Sequence, residues 1–592
     1  MTGTPLRHVA VVGAGAAGAF FTLELSRLRP DVTIDLHDRD GRGPGAGIVM
    51  STEFMDRVRA GFPDVFDLPP DATGTWDRTL TRFGDEDIWS GAYGTVGLGR
   101  RAFHARTRAL AEAGPRVRAV RGTVASAPGR ADVVVVADGA GSALRRSRVQ
   151  AFGTTVTEGR THFLWACAPV RLEPQFVLKD LRPGLLVVHA YPHGAEESTF
   201  IVEADPATLA AHGLGGERPL AEAEKELAVI FADELRGAPL HAQTSRWQPF
   251  RTVVNARWHD GRWVLVGDAA HTAHFSIGSG TSLAVDDALC LARALAGAGD
   301  VPEALDAYER ERRPVVEAAQ SEAAESVEWF ETLCRRGRVD GHRTVFALRS
   351  RRRMNTWSRL RERDPDFAAR TLAHLGGGST ATAPSEVPAA VGALTATSRL
   401  AEAALSADAG ARGVLVLRTE DGPVRCPLLD ARADPSAWRA SGARAVGLLV
   451  DAAGAAGLAG YAPGAAGSVA DATDATAPAG YAPGAATGLP AGAAGAAGLA
   501  GDGDGAAALS SRAAGRGFDF LAVPAQPGAG RVSRTRRAEE LTAAGVLPVV
   551  LLADPGLPPD EADTLLAAGR ADLVARCAGA PGGADAVGED AG

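Results

Sequence analysis

Short apolar runs, each followed by a tight turn and then by apolar residues at helical spacing, recur along the first half of the chain. Three of them stand out, at residues 8–12, 131–136 and 263–266. Continuous apolar runs of this length are typical of strands buried on both faces, and the spacing after each turn indicates a helix. The pattern predicts an α/β fold built on a parallel, Rossmann-type sheet.

The turn after the first predicted strand has the sequence GAGAAG, at residues 13–18. The first glycine permits the turn, the second lets the backbone approach a pyrophosphate, and the third lets the helix pack on the strand. A second predicted strand, residues 32–37, ends in Asp38, which is placed to bind the ribose hydroxyls of FAD or NAD. Arg39, next to it, can accommodate a 2′-phosphate, so NADP stays an alternative cofactor at this point. The predicted cofactor contacts are Gly13, Gly15, Ala16, Ala17, Gly18, Asp38 and Arg39.

The other two turns bring acidic residues to the same edge of the sheet. Asp138 follows a strand of four valines, and Ser142 and Arg145 come shortly after it, so we expect a carboxylate and a cation over the dinucleotide cleft. Asp268 follows the third strand, where it can accept a hydrogen bond from a ribityl or ribose hydroxyl. The next helix opens at 278–281, and its free amides suit the anionic edge of a reduced flavin. The contacts predicted here are Asp138, Gly139, Gly267, Asp268, Gly278, Ser279, Gly280 and Thr281.

A substrate-binding region is predicted between residues 151 and 251, where apolar and polar positions alternate. Residues 185–191 and 198–203 predict an antiparallel pair of strands. Large aromatic residues and histidines at these spacings are more often part of the core than of a binding site. The candidate substrate contacts are Trp165, Tyr191 and His193.

The character of the chain changes after residue 376. A glycine-rich stretch begins a predicted linker at 376–400, and residues 452–508 are almost all alanine and glycine with an internal repeat, a composition that cannot build a core. Strand-like runs on both sides predict a βα region over 401–592, which is shorter than the roughly 250 residues of a complete (β/α)8 barrel. The predicted domains are a core at 1–375, in which 1–150 and 252–375 bind the cofactor and 151–251 form the substrate sheet, followed by the linker and a degenerate βα domain at 401–592.

Composition narrows the range of functions. The 592 residues are 46% hydrophobic and 22% charged, enough for a large core and more than one domain. A net charge of −9 without a basic stripe argues against nucleic acid. We expect a cytoplasmic protein because no leader and no membrane-spanning apolar run is evident. The five cysteines lack metal-ligand spacing, so no metal site is predicted, and no signal indicates an oligomeric state.

The order of the three turns, GxGxxG, DGxxSxxR and GDAAH, resembles that of the single-component, FAD-dependent aromatic monooxygenases. Within that class the chain is similar to the salicylyl-CoA hydroxylase and anthraniloyl-CoA (2-aminobenzoyl-CoA) monooxygenase group, with the hydroxylases of violacein assembly as near relatives. The segments that carry the resemblance, between about residues 8 and 375, are 45–50, 99–100, 189–191, 198–203, 274–281, 308–316 and 328–330.

The resemblance implies one FAD, reduced by NADPH or NADH, and hydroxylation or epoxidation of an aromatic acyl thioester through a flavin C4a-hydroperoxide. The thioester would be carried on CoA or on a carrier protein. A free aromatic or indolic substrate stays an alternative, and a redox-silent FAD-binding scaffold is a less favoured one. The resemblance places His274 and Phe275 on a turn that faces the flavin, as candidate catalytic residues.

The resemblance also extends the cofactor contacts to Gly47 and Arg100, and we add Val124. One departure is Ala46, where the group usually has tryptophan beside the flavin ring, and we expect a wider pocket there. In the C-terminal region, residues 513–521 and 565–573 resemble parts of the old-yellow-enzyme-like barrel that is fused to this oxygenase in anthraniloyl-CoA monooxygenase. The histidine-glycine motif of that barrel is missing, which implies a domain without FMN.

Overall fold

The computed structural model of the chain describes residues 6–376 apart from 40–45, 123–128, 130, 217 and 337–339. Beyond residue 376 it describes segments 381–387, 389–391, 394–396, 398–405, 413–419, 422–429, 447–449, 519–524, 548–553, 557–568 and 570–578, with positions 435, 445, 513, 514, 538 and 542. The chain forms two compact units, Met1–Cys334 and Arg335–Gly592.

The first unit alternates strands and helices. Its strands are β1 (His8–Val12), β2 (Thr33–Asp38), β3 (Gly47–Ser51), β4 (Thr73–Phe83), β5 (Glu86–Gly99), β6 (Val117–Arg121), β7 (Val133–Val136), β8 (Thr154–Ala168), β9 (Gln175–Asp180), β10 (Leu185–Pro192), β11 (Ser198–Ala204), β12 (His241–Ala242), β13 (Gln248–Asn255), β14 (His259–Asp260) and β15 (Trp263–Leu265). The α-helices that begin in it are α1 (Ala16–Leu28), α2 (Thr52–Gly61), α3 (Arg100–Glu112), α4 (Ala143–Ser147), α5 (Val149–Phe152), α6 (Pro206–Ala211), α7 (Leu220–Ile230), α8 (Gly280–Gly297) and α9 (Val301–Arg336).

The strands predicted from the apolar runs form one sheet in the order β14-β15-β7-β1-β2-β6. β1 pairs in parallel with β2 and β7, and β7 pairs in parallel with β15. All four valines of β7 are fully buried, as a strand covered on both faces requires. Because β1, β7 and β15 run in the same direction, the turns that follow them lie at one edge of the sheet.

The second sheet of this unit is mixed, in the order β12-β8-β11-β10-β9-β4-β5-β3, and β13 pairs with β8. The predicted antiparallel pair is present as β10 and β11, with Val187 opposite Glu203. The sheet also takes in β3, β4 and β5, which come from residues 47–99, a segment that the sequence analysis assigned to the cofactor-binding part. The residues of β4 do not alternate cleanly between buried and exposed, so the period-2 pattern gave no signal there.

The centre of the mixed sheet has two different faces. The even-numbered residues of β8, β10 and β11 form an apolar cluster with residues of α6 and α7, among them Leu209 and Leu227. Successive side chains on a strand point to opposite faces, so the odd-numbered residues share the other face. Aromatic and polar side chains are concentrated there: Phe163, Trp165, His189, Tyr191, Thr199 and Glu203.

The second unit contains helices and a further sheet. Its helices are α10 (Gly341–Ser350), α11 (Trp357–Arg363), α12 (Pro365–His374) and α13 (Pro559–Ala567), and its strands are β16 (Ala389–Val391), β17 (Leu394–Ala396), β18 (Leu400–Leu405), β19 (Gly413–Thr419), β20 (Gly422–Leu429), β21 (Gly447–Leu449), β22 (Phe520–Pro524), β23 (Val549–Ala553) and β24 (Leu573–Ala578). Within the part of the chain that the structure describes, no helix combines the length and the apolar character needed to cross a bilayer.

The strands of the second unit close into a ring. β18, β24, β23, β22, β21 and β20 pair in parallel, each with the next, and β19 pairs antiparallel with both β18 and β20. Alternate residues of the strands pack into one apolar cluster, as the inward face of a barrel does. The cluster includes Leu415, Leu417, Cys426, Leu428, Phe520, Ala522, Val550, Leu552, Leu573 and Ala575.

The boundary between the units lies earlier than the predicted linker at 376–400. The backbone N–H groups of Trp357 and Ser385 donate to Thr564 Oγ1 at 2.7 Å and Asp563 Oδ1 at 2.8 Å. These hydrogen bonds join the start of α11 and the segment after α12 to α13. The helices α10, α11 and α12 therefore belong to the second unit. The predicted division into domains stays a prediction.

Candidate active site

The glycines of the first turn differ in what surrounds them. Gly13 has a φ of +104°, and a Cβ there would lie 2.3 Å from the carbonyl oxygen of Ala137. A Cβ at Gly18 would lie 1.9 Å from the carbonyl oxygen of Gly13. Around Gly15, in contrast, no described residue lies within 4 Å of the position that a Cβ would take. Packing therefore requires glycine at 13 and 18, whereas at 15 glycine leaves the backbone open to a ligand. Ala16 and Ala17 follow as the first turn of α1.

Asp38 ends β2 beside the glycine-rich turn. Its Oδ1 accepts a long hydrogen bond of 3.5 Å from the N–H of Ala14, and its Oδ2 accepts one of 3.0 Å from Arg108 on α3. Arg39 is exposed. Sequence reasoning missed Arg108 because no motif connects it to an aspartate 70 residues away.

The DG turn after β7 places one of its two charged residues differently from the expectation. Asp138 accepts from the N–H of Ala143 at 3.1 Å through Oδ2, and its other oxygen is buried without a hydrogen-bond partner among the described residues. Arg145 does not extend over the cleft. It is 2% exposed and donates to the carbonyl oxygens of Ala269 at 2.9 Å and Ala140 at 2.5 Å. The guanidinium instead joins the DG turn to the GD turn, because the carbonyl oxygens of both turns need donors.

The GD turn is a 3-10 helix, Gly267–Ala269, that follows β15. Gly267 has a φ of +60°, and a Cβ there would lie 3.0 Å from the Cβ atoms of Ala17 and Ala284, so glycine lets the turn pack between α1 and α8. Asp268 presents an exposed carboxyl at this edge of the sheet. Crowding by the surrounding protein favours the neutral form and raises the pKa of Asp268, while its access to solvent and the charges of His271 and Arg100 oppose that rise.

A buried ionic network supports this turn from below. Asp287 on α8 accepts from His271 Nε2 at 2.6 Å and from the N–H of Gly267 at 3.3 Å through one oxygen, and from Arg312 Nε at 2.8 Å through the other. Asp287 is fully buried, and His271 and Arg312 are 3% and 8% exposed. Burial alone would raise the pKa of Asp287, but the charges and hydrogen bonds of His271 and Arg312 lower it.

The turn before α8 contains both candidate catalytic residues. His274 is buried and precedes a 3-10 helix, Phe275–Ile277; its Nδ1 lies 2.9 Å from Ser276 Oγ, which is 2.8 Å from Ser326 Oγ on α9. His274 therefore fixes the shape of the turn.

Gly278 has a φ of +63°, and Gly280 and Thr281 begin α8. In the part of the chain that the structure describes, no side chain caps this helix and Ser279 Oγ is buried without a partner.

The ring of Phe275 lies at the centre of an aromatic cluster. Its centroid is 5.1 Å from that of Phe163, 5.8 Å from that of Trp165 and 5.4 Å from that of His189. Arg100 lies 5.5 Å above the Trp165 ring, and burial lowers the pKa of its guanidinium. The structure thus brings together Phe275, Trp165 and Arg100, three site candidates from separate segments of the sequence.

Tyr191 and His193 hold the Gly47 strand. Tyr191 donates to the Gly47 carbonyl oxygen at 3.1 Å, and the Gly47 N–H donates to Thr199 Oγ1, which lies 3.0 Å from His193 Nδ1. Burial raises the pKa of Tyr191 to about 12. Ala46 is 1% exposed, and the wider pocket expected at this position stays a prediction. Val124 lies outside the described residues.

The geometry fits a bound dinucleotide. Each of three buried polar atoms lacks a hydrogen-bond partner within the described chain: Asp138 Oδ1, Arg100 Nε and Ser279 Oγ. Atoms of this kind also occur elsewhere in the described chain, but these three belong to predicted cofactor contacts, where they are available to a polar ligand. Asp138 lies on the turn after β7, and Ser279 lies between β15 and α8, in the same connection as Asp268.

Comparison with known proteins identifies the family to which the chain belongs. A family model described as an FAD binding domain matches residues 95–323. A salicyloyl-CoA 5-hydroxylase from Streptomyces sp is 35% identical over 378 residues, 61% of this chain and 72% of that protein. A 3-hydroxy-4-methyl-anthranilyl-[aryl-carrier protein] 5-monooxygenase from Streptosporangium sibiricum is 38% identical over 331 residues, 55% of this chain and 90% of that protein. This chain belongs to the FAD-dependent aromatic monooxygenases. The monooxygenase is also similar in structure to the tetrameric form of 2-methyl-3-hydroxypyridine-5-carboxylic acid oxygenase, with a TM-score of 0.46, 21% identity and coverage of 55% of this chain and 91% of that one.

The predicted class is confirmed, and the residues at the three turns lie in a protein that depends on FAD. The part that each of these residues plays toward FAD and substrate stays a prediction.

Proposed function

We propose that this monooxygenase uses NADPH or NADH and O₂ to hydroxylate or epoxidise an aromatic acyl thioester carried on CoA or on a carrier protein. The observation that supports the thioester is the pair of relatives described above, one named for an aroyl-CoA and the other for an anthranilyl group on an aryl-carrier protein. Both of these acyl groups carry a hydroxyl on the aromatic ring.

The residues of the three turns would hold the cofactor. The open backbone at Gly15 and the first turn of α1 suit the pyrophosphate, Asp38 the adenosine ribose, and Asp268 a ribityl hydroxyl. The uncapped N-terminus of α8 offers backbone N–H groups to the anionic edge of the flavin ring. When bound, FAD accepts electrons from the nicotinamide and activates O₂ for transfer of one oxygen atom.

The protein then has to orient the substrate ring and exclude water. Trp165 and Phe275 are both partly exposed and stand at an angle of 61° to each other, so together they offer an aromatic wall. Arg100 beside Trp165 supplies positive charge where the thioester carbonyl or the flavin can use it. Tyr191 and His193 act indirectly, by fixing Gly47.

Replacing Asp268 with alanine should weaken FAD binding. The cofactor would lose a charged hydrogen-bond acceptor, at a cost of about 1.5 to 3 kcal/mol, so the Kd should rise about ten- to a hundredfold. Titration of the apoprotein with FAD measures this. Asp286→Ala is the matched control, since that carboxylate lies on α8 and pairs with Arg57 at 2.8 Å. An unchanged Kd for Asp268→Ala would remove Asp268 from the site.

Salicyloyl-CoA should be oxygenated with a kcat/KM about 100-fold or more above that of free salicylate, because binding energy from the remote carrier is available to position the ring. The measurement is NADPH and NADH oxidation together with product mass. Equal or better turnover of the free acid favours a hydroxylase of free aromatic metabolites. FAD-loaded protein that oxidises neither nicotinamide with any aromatic substrate is a scaffold.

We propose that the second unit is a degenerate βα barrel without FMN, with a structural or docking role. The ring of mainly parallel strands supports a barrel ancestry. After β22 the sequence continues Ala525, Gln526, Pro527 in place of a histidine-glycine motif; these residues lie outside the described part of the chain. The product mass in the experiment above also tests this role: one oxygen atom without added hydrogens agrees with it, and added hydrogens contradict it.

A further inference from the structure

A histidine paired with a buried carboxylate lies next to the aromatic cluster. His189 Nε2 is 3.3 Å from Glu203 Oε2, and Thr161 donates its hydroxyl to Glu203 Oε1 at 2.6 Å. Glu203 is 1% exposed and His189 is 7% exposed. The pair joins two neighbouring strands, β10 and β11, and no role has been assigned to it so far.

The charge on Glu203 fixes the orientation of the imidazole. Burial alone would raise the pKa of Glu203, but the facing imidazole of His189, the charge of His274 and the hydrogen bond from Thr161 lower it. Within the described chain Nε2 and Oε2 face each other as an ion pair at 3.3 Å, outside hydrogen-bond geometry. A carboxylate at this distance favours the tautomer of His189 with its proton on Nε2, which leaves the lone pair of Nδ1 available. Carboxylate–histidine pairs in catalytic sites prepare a base in the same manner.

His189 lies on the face that would bind the substrate. In the sheet, Ile201 stands opposite both Trp165 on β8 and His189 on β10, so the two rings share one row across the sheet. The imidazole centroid is 5.4 Å from that of Phe275 and 4.9 Å from that of Phe330. An aromatic substrate ring held against Trp165 and Phe275 would therefore lie on the same face of the sheet as the imidazole, whose exposed fraction of 7% is what it can offer to that ring.

We infer that His189 is the base that takes the proton from the ring hydroxyl of the substrate, and that Glu203 is its positioning residue. This inference rests on the proposed function. The substrate O–H bond breaks, the proton moves to Nδ1, and the electron pair stays on the ring oxygen, which makes the ring a stronger nucleophile toward the oxygen atom derived from O₂. The imidazolium is stabilised by the Glu203 carboxylate. As the new C–O bond forms, the O–O bond breaks, and the second oxygen atom of O₂ ends as water with the two electrons that NADPH or NADH supplies. The attacked ring carbon then loses its proton to water, and Nδ1 returns its proton to the ring oxygen.

A pair of substrates separates this role from a structural one. One is salicyloyl-CoA; the other is a difluorinated salicyloyl-CoA whose ring hydroxyl is already ionised at the pH of the assay. The reduced, FAD-loaded full chain is mixed with O₂, and the single-turnover rate of product formation is compared with that of the wild type on the same substrate. The variants are His189→Gln and Glu203→Gln, with His8→Gln as control, since His8 forms a similar pair with Asp35 at 2.8 Å at the start of β1.

On salicyloyl-CoA, His189→Gln should lose about 100-fold in rate and Glu203→Gln about tenfold, in the range of general base catalysis. On the ionised analogue both losses should shrink to less than about threefold, because no proton has to be removed. His8→Gln should equal the wild type on both substrates.

Equal losses on the two substrates would mean that the pair only shapes the site, and would overturn the inference. The same holds if both variants lose FAD, which the flavin absorbance of each preparation reports. If the wild type forms product but the variants lose no more rate on salicyloyl-CoA than on the ionised analogue, the inference is rejected and the proposed function stands. A wild type that forms no product from either thioester rejects the proposed function, and the inference with it.

Discussion

Asp287→Ala should lower the free energy of unfolding of the apoprotein by about 3 to 5 kcal/mol, since removing one partner of a buried ion pair leaves the other charge uncompensated. Arg312 would keep a buried guanidinium, and His271 and the N–H of Gly267 would lose their acceptor. Denaturant unfolding monitored by tryptophan fluorescence measures the loss. FAD binding should weaken as well, because the turn that carries Asp268 rests on this carboxylate.

The double variant Asp287→Ala/Arg312→Met is the control for that explanation. When both charged partners are replaced by apolar groups, no uncompensated charge stays in the core, so at least half of the lost stability should return. Because the pKa of Asp287 is lowered in the folded protein, its contribution to stability is present above the ordinary carboxyl range and is lost as the pH falls below it. A loss of under about 1 kcal/mol for Asp287→Ala would show that the network is solvated.

Alanine at Gly15 and alanine at Gly18 should have opposite consequences. Gly15 has an extended backbone, φ −71° and ψ −171°, and open space at its Cβ position, so Gly15→Ala should change the stability of the apoprotein by less than about 0.5 kcal/mol. The added methyl group would occupy the place of the pyrophosphate, and the Kd for FAD should rise about 100-fold or more, which corresponds to about 2.7 kcal/mol.

Gly18→Ala should instead damage the fold, since its Cβ would overlap a backbone oxygen that cannot move without separating α1 from β1. We expect a loss of about 3 kcal/mol or more in the apoprotein. Apoprotein melting and FAD titration of both variants give the comparison. Tight FAD binding by Gly15→Ala would contradict the assignment of the pyrophosphate to this turn, and a wild-type melting temperature for Gly18→Ala would contradict the observed packing.

The parts of the fold that sequence could predict are those in which local pattern and chain direction suffice. The valines of β7 and the glycines at 13 and 18 report burial and close packing directly, so the parallel sheet and its three turns followed. The pairing of β10 with β11 followed from alternation around a short turn. The aromatic members of the site could be named, but only as candidates, because an aromatic residue on a strand is buried in either case.

What sequence could not predict depends on contacts between distant segments. Arg145 was expected over the cleft, and only the structure shows that two backbone carbonyls hold it in the core. Asp287 and Arg312 lie on two helices and match no motif, yet they support the turn with Asp268. His189 and Glu203 looked like ordinary strand residues until pairing of β10 with β11 placed them diagonally across the two strands.

The alanine- and glycine-rich stretch at 452–508 separates β21 from β22 in sequence, yet these strands are adjacent in the ring, with Gly447 opposite Phe520. The length of a connection between paired strands affects stability only weakly; each doubling costs about 0.6 kcal/mol. We therefore expect that the number of repeat units between β21 and β22 can change with little effect on the stability of the ring. The same property makes it the position of choice for inserting a fluorescent reporter or an affinity tag into the chain.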